Sequence, residues 1–258
     1  MRTFFDTILG GKTSRRPRLP AGLRVYAVGD IHGRADLLER LHAEIARDAA
    51  VAPADRELVV YLGDYLDRGA AVRDTIDTLL HGLPSRLRAI HLRGNHEFMF
   101  SDFLDHPASL PAWLDQGGAA TLHSYLVRPP QATECGPATA QEVRSALLAS
   151  IPQSHLDFLR TRLRTMLRLG DYVFVHAGLR PGVALEHQRE EDMLWIRDEF
   201  LSSTHGRLRV VHGHTIHNQP EARPHRIAVD TGAYATGVLS CAVLEEDRVH
   251  FISTGKTP

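Results

Sequence analysis

The chain has 258 residues, and its 30 Lys+Arg nearly balance 31 Asp+Glu, for a formal net charge of -1. With 43% hydrophobic and 24% charged residues it matches ordinary globular proteins, which excludes disorder or low-complexity structure as its main state. So neutral a chain is not built for indiscriminate binding to nucleic acid or membrane surfaces, and neither partner is expected. At about 100–200 residues per domain, the length gives one large domain or two small ones. The two cysteines, Cys135 and Cys241, are too few for a disulfide framework or a Cys-based zinc site. No uncharged apolar run reaches the ~18 residues of a membrane-spanning helix. The N-terminus lacks the apolar core of a signal peptide, so a cytoplasmic protein is expected. Histidine, at 16 residues, is the count that asks for an explanation, since imidazole can titrate, bind metal or simply sit at the surface.

Residues 1–20, with Lys12, Arg15, Arg16 and Arg18, read as a flexible solvated arm ahead of a domain spanning 21–258. Leu23–Val28 predicts the first strand. Asp36–Ala50 follows with Leu37, Leu38, Leu41 and Ile45 on one face of a helix. A strand at Glu57–Leu62, a short amphipathic helix at Val72–Leu80 and a strand at Arg88–Leu92 complete a β-α-β-α-β alternation. That alternation signals an α/β fold with a partly parallel sheet. From Phe98 to about Arg162, Leu and aromatic residues recur at three- and four-residue spacing, which predicts a helical insertion. Within it, Ser154 to Asp157 resembles a capping box. Strands return at Leu163–Leu169 and Tyr172–Val175, joined by the hairpin signal Gly170-Asp171. Leu208–Val211, Arg226–Val229, Val238–Leu244 and Arg248–Ile252 complete the set.

Five of these strands run straight into polar clusters: Gly29-Asp30-Ile31-His32-Gly33, Gly63-Asp64-Tyr65-Leu66-Asp67-Arg68-Gly69, Arg93-Gly94-Asn95-His96-Glu97, His176-Ala177-Gly178 and His212-Gly213-His214-Thr215. Ligands in open α/β sheets sit outside the carboxyl ends of strands, so the five clusters predict one convergent site. Carboxylate, amide oxygen and imidazole together suit first-row divalent ions such as Mn, Fe, Co, Ni or Zn. The donors exceed the needs of one ion, and two ions sharing a carboxylate is the economical arrangement. Two ions about 3.5–4 Å apart can clamp both the attacking and the leaving oxygen of phosphoryl transfer.

The ordered set GDIHG, GDYLDRG, GNHE, HAG and HGHT resembles the metallophosphoesterase superfamily, and within it the phosphoprotein phosphatase branch of bacterial, calcineurin-like serine/threonine phosphatases. The resemblance spans Arg24 to Ile252 and implies a central mixed β-sandwich flanked by helices, with a dinuclear centre at the strand ends. It implies that Asp30 and His32 hold the first metal, that Asp64 bridges, and that Asn95, His176 and His214 hold the second. His96 resembles the general acid, Asp67 the carboxylate that orients it, and Arg68 a phosphate-binding arginine. Arg197, in LWIRDEF, matches a second such arginine by position. The implied cofactors are two divalent ions, with Mn expected and Fe, Zn, Co or Ni also suited. The implied activity is hydrolysis of phosphoserine and phosphothreonine in proteins by hydroxide held between the metals. The alternative is a symmetrical dinucleotide polyphosphate hydrolase, so the partner is a phosphoprotein or a small phosphorylated substrate. Ile216 stands where diesterase branches carry a second His, which counts against a diesterase. His212 is either a group behind the ligands or a packing residue. Asp230 and Tyr234 either line the site or form a turn and a core aromatic. The remaining histidines, among them His91, His123, His217 and His225, are expected on surfaces and loops.

Overall fold

The structure, a computed structural model, describes residues 16–204 and 206–255. Residues 1–15 of the expected arm lie outside the described residues. Its last part is tied down: Leu19 is buried, its N–H donates to Glu246 O at 2.9 Å, and Arg18 pairs with Glu246.

The strands are β1 (Leu23–Val28), β2 (Arg56–Tyr61), β3 (Arg88–His91), β4 (Met166–Leu169), β5 (Tyr172–Val175), β6 (Arg209–His212), β7 (Glu221–Ala222), β8 (Arg226–Ala228), β9 (Ser240–Glu245) and β10 (Arg248–Ser253). They form two five-stranded mixed sheets, ordered β10-β9-β1-β2-β3 and β4-β5-β6-β8-β7. Both are parallel where the site motifs lie, at β1-β2-β3 and β5-β6-β8, and antiparallel at their edges. The sheets face each other through one apolar layer in which Val25, Ala27, Val60 and Leu62 meet Tyr172, Phe174, Val211 and Ile227. Strands covered on both faces read as near-continuous apolar runs, which is why LRVYAV and YVFV were recognisable.

Helices cover the outer faces. α1 (Ala35–Val51) and α2 (Val72–His81) pack Leu37, Leu41, Ile45, Ile76 and Leu79 onto the first sheet. Residues 95–162 are largely helical. They comprise α3 (Asn95–Asp105), α4 (Leu110–Trp113), α5 (Ala119–Ser124), α6 (Pro137–Ser150) and α7 (Gln153–Asp157). Phe100, Phe103, Trp113, Leu122 and Tyr125 extend the same core. Each such buried side chain contributes about 1.5–3 kcal/mol, a reserve against which a strained site can be held. On the second sheet, α8 (Glu190–Trp195) and α9 (Asp198–Leu201) bring Met193 and Phe200 against Val175 and Val210. A last turn of helix, α10 (Ala233–Thr236), lies between the left-handed Gly232 and Gly237.

The capping box at Ser154 does not form. α7 starts one residue earlier, behind Pro152, and Asp157 accepts from Gln153 Nε2 at 2.7 Å within the helix. Proline's fixed φ presets the helix start without a side-chain cap.

Candidate metal centre

Each strand-end motif delivers its side chains to one place. Asp30, His32, Asp64, Asp67, Asn95, His96, His176 and His214 are all at most 7% exposed. Seven described non-glycine residues have a positive φ, and five belong to the predicted site: His32 at 45°, Asp64 at 53°, Asp67 at 68°, Arg68 at 65° and His214 at 61°. The other two, Leu126 and Glu246, sit in turns. A left-handed backbone costs energy for any residue with a Cβ, so strain is concentrated where the polar groups converge.

Asp64 is the centre. Its Oδ2 lies 3.4 Å from His32 Nε2, and its Oδ1 lies 3.4 Å from His176 Nε2. Two groups of donor atoms therefore share this carboxylate: His32, Asp64 and His96 on one side, and Asp64, His176 and His214 on the other. His32 Nδ1 is 2.7 Å from Leu66 O, and His176 Nδ1 is 2.9 Å from Leu62 O. A carbonyl only accepts, so both Nδ1 atoms carry the proton and both Nε2 atoms present lone pairs inward. Asn95 Oδ1 and His214 Nδ1 lie 2.9 and 3.2 Å from His176 Nε2. Burial opposes the charge of Asp64, yet His176, His96, His32 and His214 outweigh it and hold the carboxyl below its ordinary range.

Asp30 lies close to both Asp64 and Asp230. Its two oxygens accept from His214 N–H at 3.2 and 3.0 Å. Burial and then the Asp230 and Asp64 charges push Asp30 well up, and burial with the Asp64 charge pushes Asp230 up to about 6. Asp230 also makes its turn, accepting from Gly232 N–H at 2.8 Å, so both open readings of it hold. A Cβ built on Gly213 would stand 2.1 Å from Asp30 Oδ1. Gly213→Ala must therefore displace the carboxylate. Because a displacement of ~1 Å at a reacting centre can cost ~100-fold, a loss of that order in kcat/KM is expected. Wild-type kcat/KM in Gly213→Ala would remove Asp30 from the site.

His96 lies in the first turn of α3, and its Nδ1 lies 2.7 Å from Asp67 Oδ2. Burial lowers its pKa, but Asp64 and Asp67 outweigh burial and the net direction is upward. Asp67 is fully buried, and its carboxylate also accepts from Thr121 Oγ1 at 2.6 Å and from Trp113 Nε1 at 3.0 Å. Glu97, the last residue of the GNHE motif, organises the loops. It accepts from the N–H groups of Gly94, Asp64, Tyr65 and Leu66 at 2.8–3.2 Å. Burial and the Asp64 charge push it up to about 7, against these four donors, which favour its charged form.

Arg68 points its fork at His32 Nε2 and His96 Nε2, 3.1 Å from each, and lies over the Tyr234 ring at 4.8 Å. Tyr234 is 37% exposed and stands edge-on to His32, so it lines the site and is not a core aromatic. Arg197 reaches the opposite end, donating from Nη1 to His214 O at 3.1 Å. His212 belongs behind the ligands. It is fully buried against Phe200, its Nδ1 sits 3.0 Å from Gly213 O, and burial lowers its pKa to about 3. Not all remaining histidines are superficial. His42 meets Tyr61 Oη at 2.7 Å, His91 stacks on Tyr61 at 4.9 Å, and His155 is buried between Tyr125 and Asp77.

A model of the calcineurin-like phosphoesterase family matches residues 23–255. The chain belongs to that family. Among solved structures, that of a candidate diadenosine tetraphosphatase is similar, with a TM-score of 0.59 at 19% identity, covering 91% of this chain and 95% of that one. A mutant cold-active protein tyrosine phosphatase has a TM-score of 0.57 at 16% identity, covering 92% and 83%. The enzyme from a psychrophilic Shewanella species has 0.53 at 14%, again covering 92% and 83%. At these identities the likeness is one of fold. No curated protein matches the chain with significance.

The donor set fits the family's divalent metals. Asn95 Oδ1 and an Asp64 oxygen both lie within 3.4 Å of His176 Nε2, and the Nδ1 proton of His176 is already committed to Leu62 O. Lone pairs packed so closely repel unless a cation lies among them.

Proposed function

We propose that this phosphoesterase is a metal-dependent phosphomonoesterase that hydrolyses phosphoserine and phosphothreonine in proteins. The observation that carries this reading is the buried His96–Asp67 pair beside Asp64, 2.7 Å apart. A serine or threonine alkoxide is a strong base and leaves only as it is protonated, and an imidazolium fixed by a carboxylate supplies that proton.

In this reading Asp30, His32 and Asp64 hold one divalent ion, and Asp64, Asn95, His176 and His214 hold the other. Manganese is the ion this reading takes, and the mixed oxygen and nitrogen set also suits Fe, Zn, Co or Ni. Bound there, the pair supplies a water of lowered pKa and positive charge against the phosphoryl oxygens. Arg68 and Arg197 grip the phosphate from the two ends, since a planar guanidinium matches two phosphate oxygens at once. His96 protonates the leaving oxygen from Nε2 while Asp67 holds Nδ1–H. Activity is expected to vanish on chelation and to return on adding Mn²⁺; turnover independent of metal would contradict the scheme.

A second reading, hydrolysis of dinucleoside polyphosphates, is favoured by flat side chains at the mouth. Tyr234 and Trp195 are each more than a third exposed and stand edge-on to His32 and His214, faces on which nucleobases stack. Turnover of phosphoserine peptides, diadenosine tetraphosphate and a bis-aryl phosphodiester, compared side by side with Mn²⁺, decides between the two. A kcat/KM at least tenfold higher for the peptides supports the first reading, and the reverse order replaces it. No helix among the described residues is long and apolar enough to cross a membrane.

A further inference from the structure

At the end of the second sheet away from the metal centre lies a cavity of about 750 Å³. It opens where β6 and β8 begin, beside the turn joining β9 to β10, and Arg16, Arg207, Arg209, Arg223, His225 and Asp247 line it. β6 runs from Arg209 at this cavity to His212. At ~3.3 Å per residue the strand alone sets the two sites about 10 Å apart.

Four arginines here face one lining carboxylate, in a chain whose overall formal charge is -1. Arg223 is answered by Glu221 at 2.7 Å. Arg209 spends only Nε, on Arg223 O at 2.9 Å, which leaves the outer nitrogens of its fork free of any partner among the described residues. Arg16 and Arg207 have neither an ion pair nor a hydrogen bond to a described residue. Elsewhere carboxylates answer half of the described arginines, as in Arg24–Glu245, Arg180–Asp192 and Arg160–Asp105. His225 reports the same excess: burial, then Arg226, Arg223 and Arg209, lower its pKa, and its Nε2 is buried with no partner.

We propose that this cavity binds a linear oligophosphate chain, separately from the catalytic centre. Guanidinium forks match phosphate oxygens two at a time, and arginines spread along a cavity wall suit several linked phosphates better than one. The chemistry is that of the phosphate chain and not of a nucleobase, because no Phe, Tyr or Trp lines the cavity to stack one. In the sequence, Lys12 and Arg15 stand within four residues of Arg16.

The test is calorimetric titration of inorganic tripolyphosphate into the full-length protein stripped of metal, comparing wild type, the Arg16→Glu/Arg207→Glu double variant and Asp64→Asn. The two arginines make no hydrogen bond or ion pair with a described residue, so their replacement should leave the fold intact. Wild type is expected to bind one tripolyphosphate, with affinity that falls steeply as salt rises, and the double variant at least tenfold more weakly. Asp64→Asn should bind like wild type, and the double variant should retain wild-type kcat on p-nitrophenyl phosphate without tripolyphosphate. The proposal fails if wild type does not bind, if the double variant binds equally well, or if Asp64→Asn loses the binding. It also fails if a single-stranded oligonucleotide binds more tightly than tripolyphosphate and is lost in the same double variant, which would make the cavity part of a nucleic-acid surface.

Discussion

Asp64→Asn is expected to lower turnover by roughly 10³–10⁵-fold and to remove bound divalent metal in the same step. Several kcal/mol of charge stabilisation disappears with the metals, at about 1.36 kcal/mol per decade of rate. The two oxygens of Asp64 face opposite partners, Oδ2 toward His32 and Oδ1 toward His176, each at 3.4 Å. An asparagine keeps the shape, but one of those oxygens becomes a proton donor, and the lone pair it offered is lost. The left-handed backbone at Asp64 tolerates asparagine, so the variant should fold. A second readout follows from mass action. A ligand at about 100 times its Kd stabilises the native state by ~2.7 kcal/mol, which raises Tm by about 5–10 °C in a chain of this size. Wild type should show that rise with Mn²⁺, and Asp64→Asn should not. Metal content by elemental analysis checks the stoichiometry; a variant that keeps two ions or near-normal turnover would sink the shared-carboxylate arrangement.

The parts of the site that could be read from the sequence are those whose meaning is local. Asp30 and His32, or Asn95 and His96, follow a strand within a few residues, and a strand buried on both faces announces itself by composition. The left-handed backbone at His32, Asp64 and His214 was not legible, because nothing in side-chain type forces it; the surrounding loops impose it. Roles that depend on long-range pairing were also hidden. Thr121 and Trp113 approach Asp67 from 54 and 46 residues away, inside a segment whose periodicity shows only that it is helical. Glu97 sits in a quoted motif, yet its four backbone partners lie mostly on the preceding strand-end loop, 31–33 residues earlier. β7, two residues long, carries no periodicity to find. Histidines such as His42 and His155 read as surface residues because a lone polar residue on a helix looks the same whether it faces water or a buried hydroxyl.

The pair of Asp67 and His96 makes the sharpest chemical prediction. His96→Ala is expected to lower kcat on phosphoserine peptides by about 10²–10⁴-fold, the range of a general acid, while turnover of p-nitrophenyl phosphate changes by less than about tenfold. The nitrophenolate leaves without a proton, so a donor at His96 has nothing to contribute there. The fold should survive, because Asp67 keeps Thr121 and Trp113 as donors, and metal should still bind, because the Asp64, His176 and His214 group does not include His96. Asp67→Asn adds a control of sign. His96 stands above the ordinary imidazole range partly through Asp67, and an acid works only while protonated. Wild-type activity on the peptide should therefore fall as pH rises through the His96 pKa, and in Asp67→Asn that alkaline fall should move to lower pH. Equal losses on both substrates in His96→Ala would show that the imidazole acts on the phosphate or the metals and not on the leaving group. Such a result would transfer the proton donor's place to another residue at the mouth, where Arg68, held over Tyr234, cannot fill it because a guanidinium does not give up its proton.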